Sequence, residues 1–440
     1  MNRLSPLFDR LREHRARGHS SFHTPGHKGN FFSDFLPNVL MNMDYTELPD
    51  TDALYEANDV ILRTEQNAAD LFGVKRSLIS AGGCSLAIQA MLRLVSERGK
   101  KIICARNAHR SAVNAIALLG LEPVWICPEG ENGYTGRISP LKVEELLQKN
   151  SDIAACYITS PSYYGEISDI GAIAEVCHRY GTKLVVDNAH GSHLAFMHEN
   201  IHPAFLGADM TACSLHKTLP VMTGGALLNI ADESFVENAK SAMALFGSTS
   251  PSYVIMSSID FCIRYMFARG KKVYGRCEEK VLELKKIAEK HGIKQPKGLC
   301  DPIRLTLNTT GLKDVSQQEY FGEYYIDCEF CDGVNAVLIC TPFNTERDFH
   351  RLQSAIENMP PSCREESFDY ILPETVISVR EAMLAKSEIV LTENAEGRIS
   401  ANTACPCPPG VPVIMPGEKI NAEVISCLKR QGVDTLKIVK

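Results

Sequence analysis

Residues 183–196 read KLVVDNAHGSHLAF, an apolar run that ends abruptly on the carboxylate of Asp187. Because its apolar residues do not alternate with polar ones, the run reads as a strand buried on both faces. Similar short runs stand at 101–104 (KIIC), 122–126 (EPVWI), 153–158 (IAACYI) and 226–230 (ALLNI). Helical periodicity fills several of the gaps, at 85–96, 111–119, 141–148 and 170–180. Strand, helix, strand at this spacing predicts an α/β fold with a mostly parallel sheet covered on both faces. Ligands of such sheets lie beyond the carboxyl ends of the strands, and that is where Asp187 stands.

Outward from this block, a long helix is expected over 252–291. Strands follow at 303–307 and 336–340, with amphipathic helices near 346–357 and 375–386, so the C-terminal part reads as a smaller α+β domain. Residues 1–20 form a basic amphipathic pattern with Leu4, Leu7, Phe8 and Leu11 on one side. That pattern suits a helix packed on the body or on a partner subunit, or one lying on a membrane surface. The expected division is an N-terminal arm over 1–60, a large domain over 61–300 and a small domain over 301–440. The length of 440 residues fits this prior of two to three domains. With 45% hydrophobic and 22% charged residues, the composition excludes broad disorder and fibrous repetition. A net charge of −7 offers no general basic field for nucleic acid. No apolar window approaches a membrane span, and the N-terminus lacks a signal-peptide core. The 16 cysteines are therefore expected as mostly reduced thiols in a cytoplasmic protein.

Four elements carry chemistry. Lys217 stands in SLHKT (214–218) after a strand-like run, with Gly224 and Gly225 close behind. Taken singly, a lysine there is also what a solvated surface charge looks like. Asp187 is costly at a buried strand end unless it is paired, which argues for a cationic partner at the same edge. Ser80-Ala-Gly-Gly-Cys-Ser85 runs into a helix, where free N–H groups favour an anion, although an ordinary cap has the same composition. His109, in RNAH after KIIC, reads as a cap or as a ring at the ligand edge. Together they ask for one ligand with an aldehyde, a ring nitrogen, a phosphate and an aromatic face. Pyridoxal 5′-phosphate has all four, and its known partners are a Schiff-base lysine and an aspartate at the ring nitrogen.

Seven stretches, FHTPGHKG (22–29), ELPDTDAL (47–54), RNAHRSA (106–112), SPSYYGEISDI (160–170), VDNAHGSHLAF (186–196), SLHKTLP (214–220) and EGRISANTACPCPPGVPVIMPGE (396–418), resemble the Orn/Lys/Arg decarboxylases in order along the chain. More particularly, the chain resembles the short bacterial members without an N-terminal wing domain, so assembly through such a domain is not expected. The resemblance implies fold type I, with a mostly parallel seven-stranded sheet and a smaller α+β C-terminal domain. It also implies pyridoxal phosphate, decarboxylation of a basic amino acid, and a homodimer with active sites near the interface. Lys217 would form the internal aldimine, Asp187 would keep the ring nitrogen protonated, and His109 would stack on the ring. Ser85, Ser214, His216 and backbone groups of Gly83 and Cys84 would hold the phosphate region. Ala189 would pack on the other ring face, and His190 would approach its edge. Residues 22–52 would complete the partner's site. Lys217, His216 or Cys407 would return a proton to Cα.

A basic side chain calls for carboxylates, and Asp44, Glu47, Asp50 and Asp52 in DYTELPDTD are the candidates; a solvated acidic loop has the same sequence. Two positions depart from the family pattern. Cys407 stands where Tyr-Pro-Pro-Gly usually begins, which bears on substrate identity, and Cys84 stands where a hydroxyl residue is usual. Cys405 and Cys407 lack a second pair at ligand spacing, so no metal site is expected. The competing readings are another fold-type-I reaction, an aminotransferase or lyase in which Arg304 would take a substrate carboxylate, and a non-catalytic regulatory protein that binds pyridoxal phosphate.

Overall fold

A computed structural model describes residues 18–22, 47, 52–130, 134, 136–364, 370–404 and 412–440. Strand β1 (Ser20–Phe22) is followed by the strands of the main sheet, β2 (Arg76–Ser80), β3 (Lys101–Ala105), β4 (Glu122–Ile126), β5 (Ile153–Thr159), β6 (Lys183–Asp187), β7 (Met210–Cys213) and β8 (Ala226–Ile230). These seven are ordered β2-β8-β7-β6-β5-β3-β4. Only β8 runs against its neighbours, so the sheet is mostly parallel, as the sequence predicts. Its central strands are apolar on both faces. Ile102 and Cys104 pack with Tyr157 and Val185 under the helices Gly83–Val95 and Arg110–Leu119. Ile103, Cys156, Leu184 and Val186 pack on the opposite side, with the helices Pro140–Lys149 and Ile170–Arg179. Burying such runs is the main favourable contribution to the fold.

The C-terminal part adds β9 (Arg304–Asn308), β10 (Ile326–Cys328), β11 (Phe330–Cys331), β12 (Asn335–Ile339), β13 (Ser387–Leu391) and β14 (Thr435–Val439). Strands β11, β12 and β9 form an antiparallel sheet, β13 pairs with β14, and β1 pairs in parallel with β10. A segment within the expected N-terminal arm is thus tied to the C-terminal part. The helix expected near 375–386 is shorter, Val379–Leu384, because Ser378 and Glu381 close a capping box at its start. The helix Tyr253–Lys290, 38 residues and roughly 57 Å long, runs beside both parts. Its Tyr274 hydroxyl donates to the Thr218 carbonyl at 2.6 Å, next to Lys217. No described helix is long and apolar enough to cross a membrane.

One ion pair joins the last part of the chain to the main sheet. Arg106 follows β3, is 0% exposed, and grips Glu418 with two bonds of 2.6 and 2.8 Å. It also donates to the Val413 carbonyl, while Glu418 accepts the Met415 N–H. Removing one partner of such a pair leaves the other charge buried. Glu418→Ala should therefore lower the unfolding free energy by about 3–5 kcal/mol, read as a shift of the urea midpoint. A change of less than about 1 kcal/mol would show that the pair does not hold these parts together.

Candidate active site

Asp187 ends β6, in register with Thr159 of β5 and Ala212 of β7. It is 2% exposed. One carboxylate oxygen accepts from the Tyr157 hydroxyl and the other from the Ala189 N–H, both at 3.1 Å. Among the described residues it makes no ion pair. A buried carboxylate with neutral donors only is expensive, and a cationic group brought beside it recovers that cost.

Lys217 lies in the short helix Leu215–Thr218, directly after β7. Its Nζ is 2.8 Å from Nε2 of His190, the third residue past Asp187. Burial is the largest influence on the amine and lowers its pKa from the ordinary lysine value, with Arg304 acting in the same direction. Asp187, Cys84 and Glu329 oppose this without reversing it. His190 is held well below the usual histidine range, first by burial, then by Lys217 and Arg304. The edge therefore holds a lysine biased toward its neutral form beside a neutral imidazole.

The other expected residues gather at the same edge with altered employment. The Gly83 N–H donates to the Gly224 carbonyl at 2.8 Å, so it is not free for an anion. Glycine is needed there because φ is +73°. The next N–H groups, of Cys84 and Ser85, lie in the first helical turn, which has no intrahelical acceptors for them. The Ser85 side chain is exposed and the Cys84 thiol is buried, its pKa raised well above the ordinary value by burial and then by Asp187. His109 caps the helix Arg110–Leu119, with Nδ1 accepting the Ser111 N–H at 3.2 Å, and its ring is exposed. Ser214 is buried, and its Oγ lies 3.1 Å from His216 Nδ1. Ala189 is buried beside Asp187.

Of the acidic loop, Asp44 and Asp50 lie outside the described residues, as do Cys405 and Cys407; Glu47 is exposed. Asp52 departs from the expectation of a substrate carboxylate. Its two oxygens accept the N–H groups of Ala53, Asn58, Asp59 and Ile61 at 2.9–3.0 Å. The loop closes around it.

Three groups at the site escape the sequence reading. Tyr157 could have been found as the only polar-tipped side chain in IAACYI. Tyr163, whose ring lies 4.8 Å from His190, and Glu329, 3.2 Å from the Tyr163 hydroxyl, carry no local signal. Among the described residues no group of three or more His, Cys, Asp or Glu is placed to hold a metal.

Residues 5–297 match the model of the Orn/Lys/Arg decarboxylase major domain, and residues 364–431 match that of the Orn/Lys/Arg decarboxylase C-terminal domain. The chain belongs to the Orn/Lys/Arg decarboxylase family. Among its relatives are the uncharacterized protein YaaO of Bacillus subtilis (strain 168), 31% identical over 97% of this chain and 94% of that one, and the arginine decarboxylase of the same organism, 28% identical over 96% and 92%. The crystal structure of the Francisella novicida lysine decarboxylase LdcF superposes with a TM-score of 0.77 at 19% identity, covering 94% of this chain and 76% of that one. The fold of this family member is that of fold-type-I pyridoxal-phosphate enzymes.

Because Asp187 is buried without an ion pair, Asp187→Asn should stabilise the protein in the absence of any ligand. The expected gain is on the order of 1 kcal/mol, read by urea unfolding. A loss of stability would mean that its charge is already balanced in the fold.

Proposed function

We propose that the protein is a pyridoxal-phosphate-dependent decarboxylase that converts a basic L-amino acid (arginine, lysine or ornithine) to the amine and CO₂. The observation that carries this reading is the pairing of functions at one sheet edge, a buried carboxylate without an ion pair and a lysine biased toward its neutral form. The cofactor, when bound, supplies an aldehyde carbon and a protonated ring that takes up electrons. The chain's residues fit that group by their own chemistry. Lys217 is the nucleophile for the aldehyde carbon, since only a neutral amine has a lone pair to give. Asp187 holds the proton on the ring nitrogen, and Tyr157 and the Ala189 N–H keep its oxygens directed. His109 offers an exposed ring to one face, and Ala189 packs on the other. The N–H groups of Cys84 and Ser85, with Ser214 and His216, serve the phosphate region.

The substrate's distal cation needs a carboxylate. Glu329 is the described candidate, half-buried, within electrostatic reach of Lys217 and bonded to Tyr163. The relative named as an arginine decarboxylase supports a basic substrate. An aminotransferase reading is disfavoured, because Arg304 is 2% exposed and its guanidinium is bonded to the Tyr163 carbonyl and to His190. We further propose a cytoplasmic homodimer with active sites near the interface, acting without nucleic acid or membrane. Its parts would be an arm over 1–60, a cofactor-binding domain over 61–300 and a small domain over 301–440.

Purified protein loaded with pyridoxal phosphate and offered arginine, lysine and ornithine should release CO₂ and one amine in equal amounts. Lys217→Ala should abolish both that release and the visible absorbance that the cofactor gains on capturing a lysine. Capture without an amine from any of the three would support a regulatory cofactor-binding protein, and keto-acid formation would support transamination. Glu329→Gln should raise KM about tenfold, ~1.4 kcal/mol of binding, with a smaller change in kcat. An unchanged KM would remove Glu329 from the substrate site.

A further inference from the structure

Behind Lys217 lies a chain of buried polar groups, of which the sequence reading uses His190 and Arg304 but not His193 or Asp301. His193 Nε2 is 2.8 Å from Asp301 Oδ1, and Asp301 Oδ2 is 3.5 Å from Arg304 Nη2. Arg304 Nη1 is 3.3 Å from His190 Nδ1, and His190 Nε2 is 2.8 Å from Lys217 Nζ. Arg304 opens β9, in the C-terminal part, so the chain reaches from there to the lysine after β7. We propose that Arg304 is a positioning residue that fixes the tautomer of His190, so that His190 directs its Nε2 proton at Lys217 and holds the amine in its neutral form.

The argument rests on which atoms can donate. A guanidinium has five N–H donors and no acceptor. Its Nη1 donates to the Tyr163 carbonyl at 2.9 Å and faces Nδ1 of His190, while Nη2 reaches the His190 carbonyl at 3.4 Å. A proton on Nδ1 would point at another donor, so Nδ1 is the acceptor, and the single proton of neutral His190 sits on Nε2. The Nε2 proton then meets Lys217 Nζ at 2.8 Å. An ammonium has three donors and no lone pair, and only the neutral amine accepts that bond. The burial that disfavours charge on Lys217 and on His190 acts in the same sense.

The guanidinium has little freedom to turn away. Asp301 is held by His193, and its backbone carbonyl accepts from Lys285 Nζ at 2.9 Å. Gly165, with φ +90°, passes under the arginine stem, where an added Cβ would lie 2.8 Å from Arg304 Cγ. Tyr163 closes the remaining side of the imidazole. The charged and titratable groups that face Lys217 come from every neighbouring element. They are Asp187 from β6, His190 from the turn after it, His109 from the start of the helix Arg110–Leu119, Cys84 from the helix Gly83–Val95, Glu329 from between β10 and β11, and Arg304 from β9. His109 and His216 face His190.

This inference rests on Lys217 as the cofactor-capturing amine, and the experiment separates the two. Nitrogen-15 NMR of the histidine-labelled, cofactor-free protein, with His190 assigned by its loss in His190→Gln, should show a protonated Nε2 and a bare Nδ1. A proton on Nδ1 of His190 in the wild-type protein overturns the proposal, whether or not any variant folds. Arg304→Met should release the tautomer preference, whereas Arg304→Gln, which keeps an N–H donor without the charge, should retain it. In parallel, acetic anhydride labelling of Lys217, followed by mass spectrometry across pH, gives the midpoint of amine deprotonation without any cofactor. Arg304→Met should raise that midpoint, on the order of one pH unit, and Arg304→Lys should restore it. An unmoved midpoint in Arg304→Met, with pyridoxal phosphate still captured, removes the positioning role and leaves the proposed function standing. A moved midpoint and tautomer in a protein that captures no pyridoxal phosphate does the reverse.

Discussion

The separation of a buried carboxylate from a nearby amine organises this molecule. Asp187 and Lys217 stand at the same edge of the same sheet, at the ends of the neighbouring strands β6 and β7, and their simplest fate would be to neutralise each other. The structure prevents that by giving each a different partner. Asp187 takes neutral donors from Tyr157 and from the turn that follows it, while Lys217 is held to His190. A direct ion pair would leave the amine protonated and the carboxylate satisfied, and neither would then serve the proposed aldehyde and ring cation. Low dielectric makes this arrangement costly, and the same low dielectric lowers the pKa of the amine. Cost and reactivity here are one property of the site.

Holding the two groups apart needs rigidity from several directions. The register of β5, β6 and β7 fixes where Asp187 ends. The long helix fixes the peptide after Lys217 through Tyr274, and β9 brings Arg304 against His190. The C-terminal part thus helps build the site as well as covering it. The doubly bonded Arg106–Glu418 pair has a related effect. It starts from the turn that carries His109 and ends beside Val413 and Met415. A shift of that part would act at once on a buried charge and on the turn that carries His109. The geometry is stiff where it must be because its fasteners are buried and charged, and therefore intolerant of small displacements.

The sequence made the main sheet legible wherever strands were buried on both faces, because unbroken apolar runs have few other uses. It failed at β2, RSLIS, whose Ser77 is internal yet polar because it bonds Asn229 across the sheet at 2.7 Å. It failed also at β1 and β10, three residues each, whose pairing joins positions about three hundred residues apart. At the site, Asp187, His190 and Lys217 were readable because each follows a predicted strand at the carboxyl edge. Glu329, Tyr163 and the true employment of Arg304 were not, since tertiary contacts alone bring them there. Asp52 shows the converse. An acidic loop residue looks the same in sequence whether it meets a ligand's cation or closes its own loop, and only its left-handed φ of 67° with four bound N–H groups tells the two apart.

Cys84 is the described position where the resemblance leads one to expect a hydroxyl residue, and its surroundings are compatible with the proposed phosphate region. Its thiol is buried, facing Asp187 and Lys217, and is driven further from ionisation by burial and by the carboxylate. It is therefore a compact neutral group at working pH and not a competing nucleophile. The donors that a phosphate needs at a helix start are backbone N–H groups, which no side-chain exchange removes. Gly83 sets their direction, with its own N–H tied to Gly224. Replacing a hydroxyl by a thiol here removes one optional donor and adds apolar contact against the sheet. A thiolate there would be a second anion beside Asp187, and the burial that disfavours it also lowers the pKa of Lys217.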